Sequence, residues 1–109
     1  MKTSNIFVYL ELSKLAEGLT TNVTQSKANL KSQASYFNII PAKYFSDDLS
    51  SEWESIVTLT KKMGPKKDED GRIVTNAFAN TISQMSPQEC VSIATRVLQL
   101  NEKVRMQFQ

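Results

Sequence analysis

Apolar positions recur along most of this chain with a helical period. Val8, Leu12, Leu15 and Leu19 follow one another at spacings of 4, 3 and 4, one face of a helix that Ser4 or Asn5 can cap and that runs to about Gly18. Ile6, Phe7, Tyr9 and Leu10 make its first turns apolar nearly all round. A helix hydrophobic on every side is buried on more than one side, so part of this surface is expected to meet another chain. A short strand over residues 6–10 is the competing assignment. Residues 20–35 are polar, contain no acidic residue, and keep only a thin stripe of Val23, Leu30, Ala34 and Phe37, which predicts a second helix. Tyr36-Phe37-Asn38-Ile39-Ile40 then runs into Pro41, where the residue before proline favours extended backbone and the chain is expected to hinge.

Leu49, Trp53, Ile56, Val57, Thr60 and Met63 mark a third helix, with Ser46 or Ser50 as cap and Asp47 and Asp48 complementing its dipole. Lys61 and Lys62 suit its last turn and Gly64-Pro65 stops it. A charged loop, Lys66-Lys67-Asp68-Glu69-Asp70-Gly71, leads to a fourth helix carrying Val74, Ala77, Phe78, Ile82 and Met85. Ser86-Pro87-Gln88-Glu89 is a capping box with proline at the first helical position. Behind it, Cys90, Ile93, Val97, Leu100 and Val104 form the stripe of a fifth helix. The expected fold is all-α: a small bundle of about five helices within residues 1–109. Its parts are an N-terminal helix pair over about 5–38, a hinge at Pro41, and a C-terminal three-helix part over about 46–107.

Composition narrows the chemistry. The chain has 109 residues, no histidine and one cysteine, which removes Cys-His and Ser-His catalysis, histidine metal sites and an internal disulfide. Its formal charge of +2 is too mild to imply nucleic acid, although residues 1–45 hold five lysines against two glutamates. The run Ile6–Leu10 is interrupted by Glu11 before it reaches the length of a secretory signal, and no stretch approaches a membrane span. A cytoplasmic protein with a free thiol, no membrane contact and no cofactor is the expectation.

Four constellations bear on chemistry. Asp68-Glu69-Asp70-Gly71-Arg72-Ile73 resembles the middle of an EF-hand calcium loop, but the loop's first and last ligand positions are Lys66 and Ala77, so a solvated turn is expected and no metal. Residues 15–35 resemble a degenerate helix-turn-helix. That likeness implies a DNA-binding module with Gln25, Lys27, Asn29 and Lys31 offered to bases and phosphates, and Gln33 beside them. Thr20 stands there in place of the turn glycine, and Ser26 in place of an apolar anchor. Cys90 lies near a helix amino terminus but on the apolar stripe, which predicts core packing. The acid pairs Asp47/Asp48 and Glu52/Glu54 have a sufficient reason in the helix dipole, so catalytic residues are expected to be absent.

What remains is a non-enzymatic helical interaction protein of adaptor, inhibitor or immunity-like kind. Its partner-binding residues are expected to be Ile6, Phe7, Tyr9 and Leu10, and its partner another protein or a second copy of the chain through a two-fold interface. Asn76, Asn80 and Gln84 recur every four residues opposite the fourth helix's apolar stripe. They are expected on a solvated face, or else as a polar strip for a partner.

Overall fold

A computed structural model describes residues 3–109. Among them are six α-helices: α1 (Ile6–Glu17), α2 (Ser26–Ser32), α3 (Tyr36–Ile39), α4 (Asp47–Thr60), α5 (Ala77–Gln84) and α6 (Pro87–Met106). A 3-10 turn (Ala42–Tyr44) precedes α4, and a two-stranded hairpin, β1 (Lys66–Lys67) with β2 (Ile73–Thr75), separates α4 from α5. The fold is predominantly helical, as the periodicity requires.

The long C-terminal helix α6 is the spine. Its buried stripe of Cys90, Ile93, Ala94, Val97, Leu100 and Val104 receives α1, α2 and α4 on different sides. The capping box closes as expected: the Ser86 N–H donates to Glu89 Oε1 at 3.0 Å, and the Glu89 N–H to Ser86 Oγ at 3.1 Å. Asn5, not Ser4, caps α1, its side chain accepting from the Val8 N–H at 3.1 Å. The chain is helical over residues 6–10, so the alternative strand there is not formed.

Aromatic rings fill the centre. Trp53 is stacked between Phe37 and Phe45, with both centroid distances 5.6 Å, and its indole N–H donates to the Ile40 carbonyl at 2.9 Å. Phe78 closes the cluster at 5.0 Å from Phe37. Ile40 is extended ahead of Pro41, and one continuous core joins the segments on either side of that corner.

Three expectations are corrected. The expected second helix is both divided and shortened: a turn over residues 33–35 separates α2 from α3, and residues 20–25 do not coil, since Asn22 Oδ1 accepts from the Thr24 N–H and hydroxyl at 2.9 and 2.6 Å and Thr20 Oγ1 accepts from the Asn22 N–H. Short polar side chains have taken the backbone partners a helix would use. Val23 consequently leaves the expected stripe and is exposed, while Leu30 and Phe37 are buried. Met63 lies past the end of α4, which stops at Thr60, and is also exposed. Val74 belongs to β2 and not to the helix after it, since α5 begins at Ala77 under an Asn76 cap.

The termini are joined by a polar ring. The Ser4 N–H donates to Gln107 Oε1 at 2.9 Å, Gln107 Nε2 donates to Ser46 Oγ at 2.8 Å, and the Ser46 N–H returns to Ser4 Oγ at 3.0 Å. Ser46 occupies the cap position of α4, but its hydroxyl serves this ring and does not cap the helix.

Candidate interaction surface

The α1 helix is anchored on its inner face by Val8, Leu12, Leu15 and Ala16. Its first residues are fixed by the Asn5 cap and by the Asn5 N–H donating to the Tyr44 carbonyl at 2.9 Å. Against that fixed frame, Ile6, Phe7 and Leu10 remain 57%, 39% and 53% exposed. Ile6 and Leu10 are four residues apart and Phe7 and Leu10 three apart, so they share one flank of the helix. Phe7 meets the Tyr44 ring edge-on at 6.2 Å. Tyr9 differs from these three: it is half-buried, its ring stacked on Phe108 at 4.6 Å. The open apolar surface is therefore Ile6, Phe7 and Leu10, bordered by a Lys14–Glu11 ion pair at 3.0 Å and by exposed Glu17.

Of the residues in the helix-turn-helix reading, Lys27 and Lys31 lie four apart on one flank of α2, and Gln25 stands at its N-cap. The α2 helix spans seven residues and packs chiefly on α6 and α5. Lys27 Nζ donates to the Ser83 carbonyl at 3.2 Å, and Asn29 is half-buried, which leaves Gln25 and Lys31 exposed. Ser26 does occupy the inward position where an apolar anchor was expected. It is fully buried, and its hydroxyl has no hydrogen-bond partner among the described residues. The amide end of the Gln33 side chain lies across Gly18, 2.4 Å from where a Cβ would stand, and Gly18 ends α1 without a left-handed backbone.

The acidic loop is the tip of the hairpin. Asp68 Oδ1 accepts from the Asp70 and Arg72 N–H groups, each at 2.9 Å, and Gly71 turns at φ +82°. The Asp68 carboxylate thus serves the backbone of its own turn. Cys90 is buried, and loss of solvent pushes its thiol pKa up while Lys27 and Lys31 pull it weakly the other way. Glu52 accepts two hydrogen bonds from Arg96, at 2.9 and 3.2 Å, which hold its carboxyl below the usual range. A groove of about 240 Å³ beside Trp53 is lined by Phe37, Ile40, Ala42, Val57 and Thr58, with Glu54 its only ionisable group.

Asn76, Asn80 and Gln84 have a reason within the chain. Asn76 caps α5 through the Ala79 N–H at 2.8 Å. Asn80, half-buried, donates to the Gly64 carbonyl at 2.8 Å and accepts from Gln84 Nε2 at 2.9 Å. The strip holds the base of the hairpin against α5.

Two features were missed. The hairpin was visible in principle, since Ile73-Val74-Thr75 is a β-branched run following an Asp-Gly turn. The Ser4–Ser46–Gln107 ring had no local signal, because its members lie up to 103 residues apart. No protein-family model matches the chain, and no curated protein or solved structure matches it either.

Proposed function

We propose that this chain is a non-enzymatic interaction protein, of adaptor, inhibitor or immunity-like kind, that docks a protein partner through the outer flank of α1. The observation that supports this reading is the exposure of Ile6, Phe7 and Leu10 on a helix whose backbone is already fixed by its cap and its core contacts. Water contact at three large neighbouring apolar side chains costs free energy that a partner's groove would recover. Anchors three and four residues apart, as Phe7 and Ile6 are from Leu10, are the pattern by which a helix is read in such a groove. The partner's chemistry follows: an apolar trough, with polar groups at the end that meets Lys14 and Glu17. A cytoplasmic location belongs to the same reading, supported by the single buried thiol. No helix among the described residues is long and apolar enough to cross a membrane.

Affinity capture from native lysate with wild-type, Ile6→Glu and Leu10→Glu baits, read by mass spectrometry, tests the reading. A partner retained by the wild type and lost with both variants supports it. An identical retained set for all three baits would remove it.

A further inference from the structure

The hairpin is an arm that the bundle does not cover. Every residue from Pro65 to Val74 is exposed, and β1 and β2 pack chiefly on each other. Ile73 and Val74, at 62% and 57%, are as open as anything on α1. A two-stranded hairpin alone is marginal in water, and three or more strands with an apolar face are needed for independent stability.

The two edges of the arm differ. The outer edge of β1 carries Lys66 and Lys67, the residue type that deters edge pairing. The edge of β2 carries Ile73, Val74 and Thr75, β-branched and uncharged. The strands pair Lys66 with Thr75 and Lys67 with Ile73, a register shift that bulges β2 at Val74 and leaves that residue without a partner on β1. Beside the arm's base, Asn38, Lys61, Asn76, Ala77 and Phe78 line a cleft of about 210 Å³. At the opposite end stand Asp68, Glu69 and Asp70.

We propose that the arm pairs with the arm of a second copy, β2 against β2, antiparallel about a two-fold axis at Val74. Two arms then make one four-stranded sheet. In this register Val74 faces the partner's Val74, Ile73 faces the partner's Thr75, and Arg72 faces the partner's Asn76, so no like charges meet. Pairing through β1 would set lysines against lysines, which is destabilising. Antiparallel alignment also carries each acidic tip past Thr75 toward the partner's Lys61 and the amino terminus of the partner's α5, where negative charge is favoured. The charges complement one another at both ends of the same sheet.

Sedimentation equilibrium over a range of concentrations, on wild type, Val74→Lys and Leu10→Glu, tests the proposal. Both substitution sites are exposed, and circular dichroism checks that the helices persist. The wild type should dimerise reversibly, Val74→Lys should weaken the dimer about tenfold or more, equivalent to about 1.4 kcal/mol, and Leu10→Glu should leave it unchanged. A strictly monomeric wild type would overturn the proposal, leaving the edge to a strand of another protein. A dimer lost with Leu10→Glu and kept with Val74→Lys would overturn it too, in favour of pairing through α1. Mild oxidation of Val74→Cys should trap a disulfide-linked dimer while Lys67→Cys should not, and the reverse result is equally fatal.

Discussion

The bundle and the arm are ordered by different forces. In the bundle, Trp53 is 1% exposed, stacked on both faces and hydrogen-bonded at its edge, and large apolar neighbours crowd around it. In the arm, the apolar side chains Ile73 and Val74 stand in water. Order there comes from the backbone: the Asp68 side chain gathers two N–H groups, and Gly64 and Gly71 supply left-handed turns at φ +69° and +82°. Global stability therefore belongs to the bundle, and the arm opens locally at a lower free energy.

The sharpest way to break this comparison is to truncate one apolar side chain in each region. Trp53→Ala should cost about 3–5 kcal/mol, because it removes the centre of a packed cluster. Ile73→Ala in the monomer should stay within about 0.5 kcal/mol, the usual range for exposed positions. Urea unfolding followed by circular dichroism measures both. Similar losses at the two sites would mean that the arm is folded as part of the core.

Gln107→Ala comes next. It takes away the acceptor of the Ser4 N–H and the donor to Ser46 Oγ, and both serines are buried. Leaving buried polar groups without partners costs about 1–3 kcal/mol. The bundle therefore depends on one polar seam as well as on its apolar core, and a denaturant midpoint unchanged by this variant would show that it does not.

How far each region could be read from sequence follows from the same contrast. Stripes such as Cys90, Ile93, Val97, Leu100 and Val104 repeat with the helix itself, so periodicity identifies them and their burial together. The capping box was equally plain because its donors and acceptors lie three residues apart. Over residues 20–25 the stripe rule failed, since Asn22 and Thr20 hold the backbone in turns that a count of apolar positions does not register. Apolar spacing alone places Val74 on a helix, whereas its β-branched neighbours Ile73 and Thr75 favour the strand it occupies. At the candidate surface, the exposure of Ile6, Phe7 and Leu10 was legible as a surplus on α1. The covering of Tyr9 was not, because Phe108 arrives from the other end of the chain.

Where bundle and arm join, the effect should be smaller and mixed. Asn80→Ala deletes the hydrogen bond to the Gly64 carbonyl, worth about 1 kcal/mol, but places a better helix former in α5, which returns about half of that. The net loss of global stability should be about 0.5 kcal/mol. Hydrogen exchange should show a larger loss of protection in the arm than in α6. Equal loss in both would mean that the joint is not local.

Acid should act on the bundle through Glu52. Its folded pKa lies below the usual glutamate value because of the hydrogen bonds from Arg96, so the unfolded chain binds the proton more readily. The contribution is complete above the ordinary glutamate pKa and disappears as pH falls through the lower folded value. Both side chains keep partial solvent contact, at 28% for Arg96 and 36% for Glu52, which holds the effect below about 1 kcal/mol. Stability measured between pH 7 and pH 3 should fall less steeply for Glu52→Gln than for wild type. Parallel curves would remove the pair from the account.

The smallest global effect is expected at Gly71, and it sharpens the comparison most. Its φ of +82° is a conformation that a Cβ disfavours, although no atom within 4 Å would obstruct one. Gly71→Ala should therefore strain the turn itself, by about 1 kcal/mol, with no steric contribution from neighbours. If the arm opens before the bundle does, that strain raises the population of open arms and leaves the denaturant midpoint where it was. The N–H groups of Asp70 and Arg72, which donate to Asp68 Oδ1, report the opening directly, and their hydrogen exchange should speed up about fivefold, matching that strain. A midpoint that falls by the full strain, with exchange in arm and bundle rising together, would show one cooperative unit and end the distinction between the two regions.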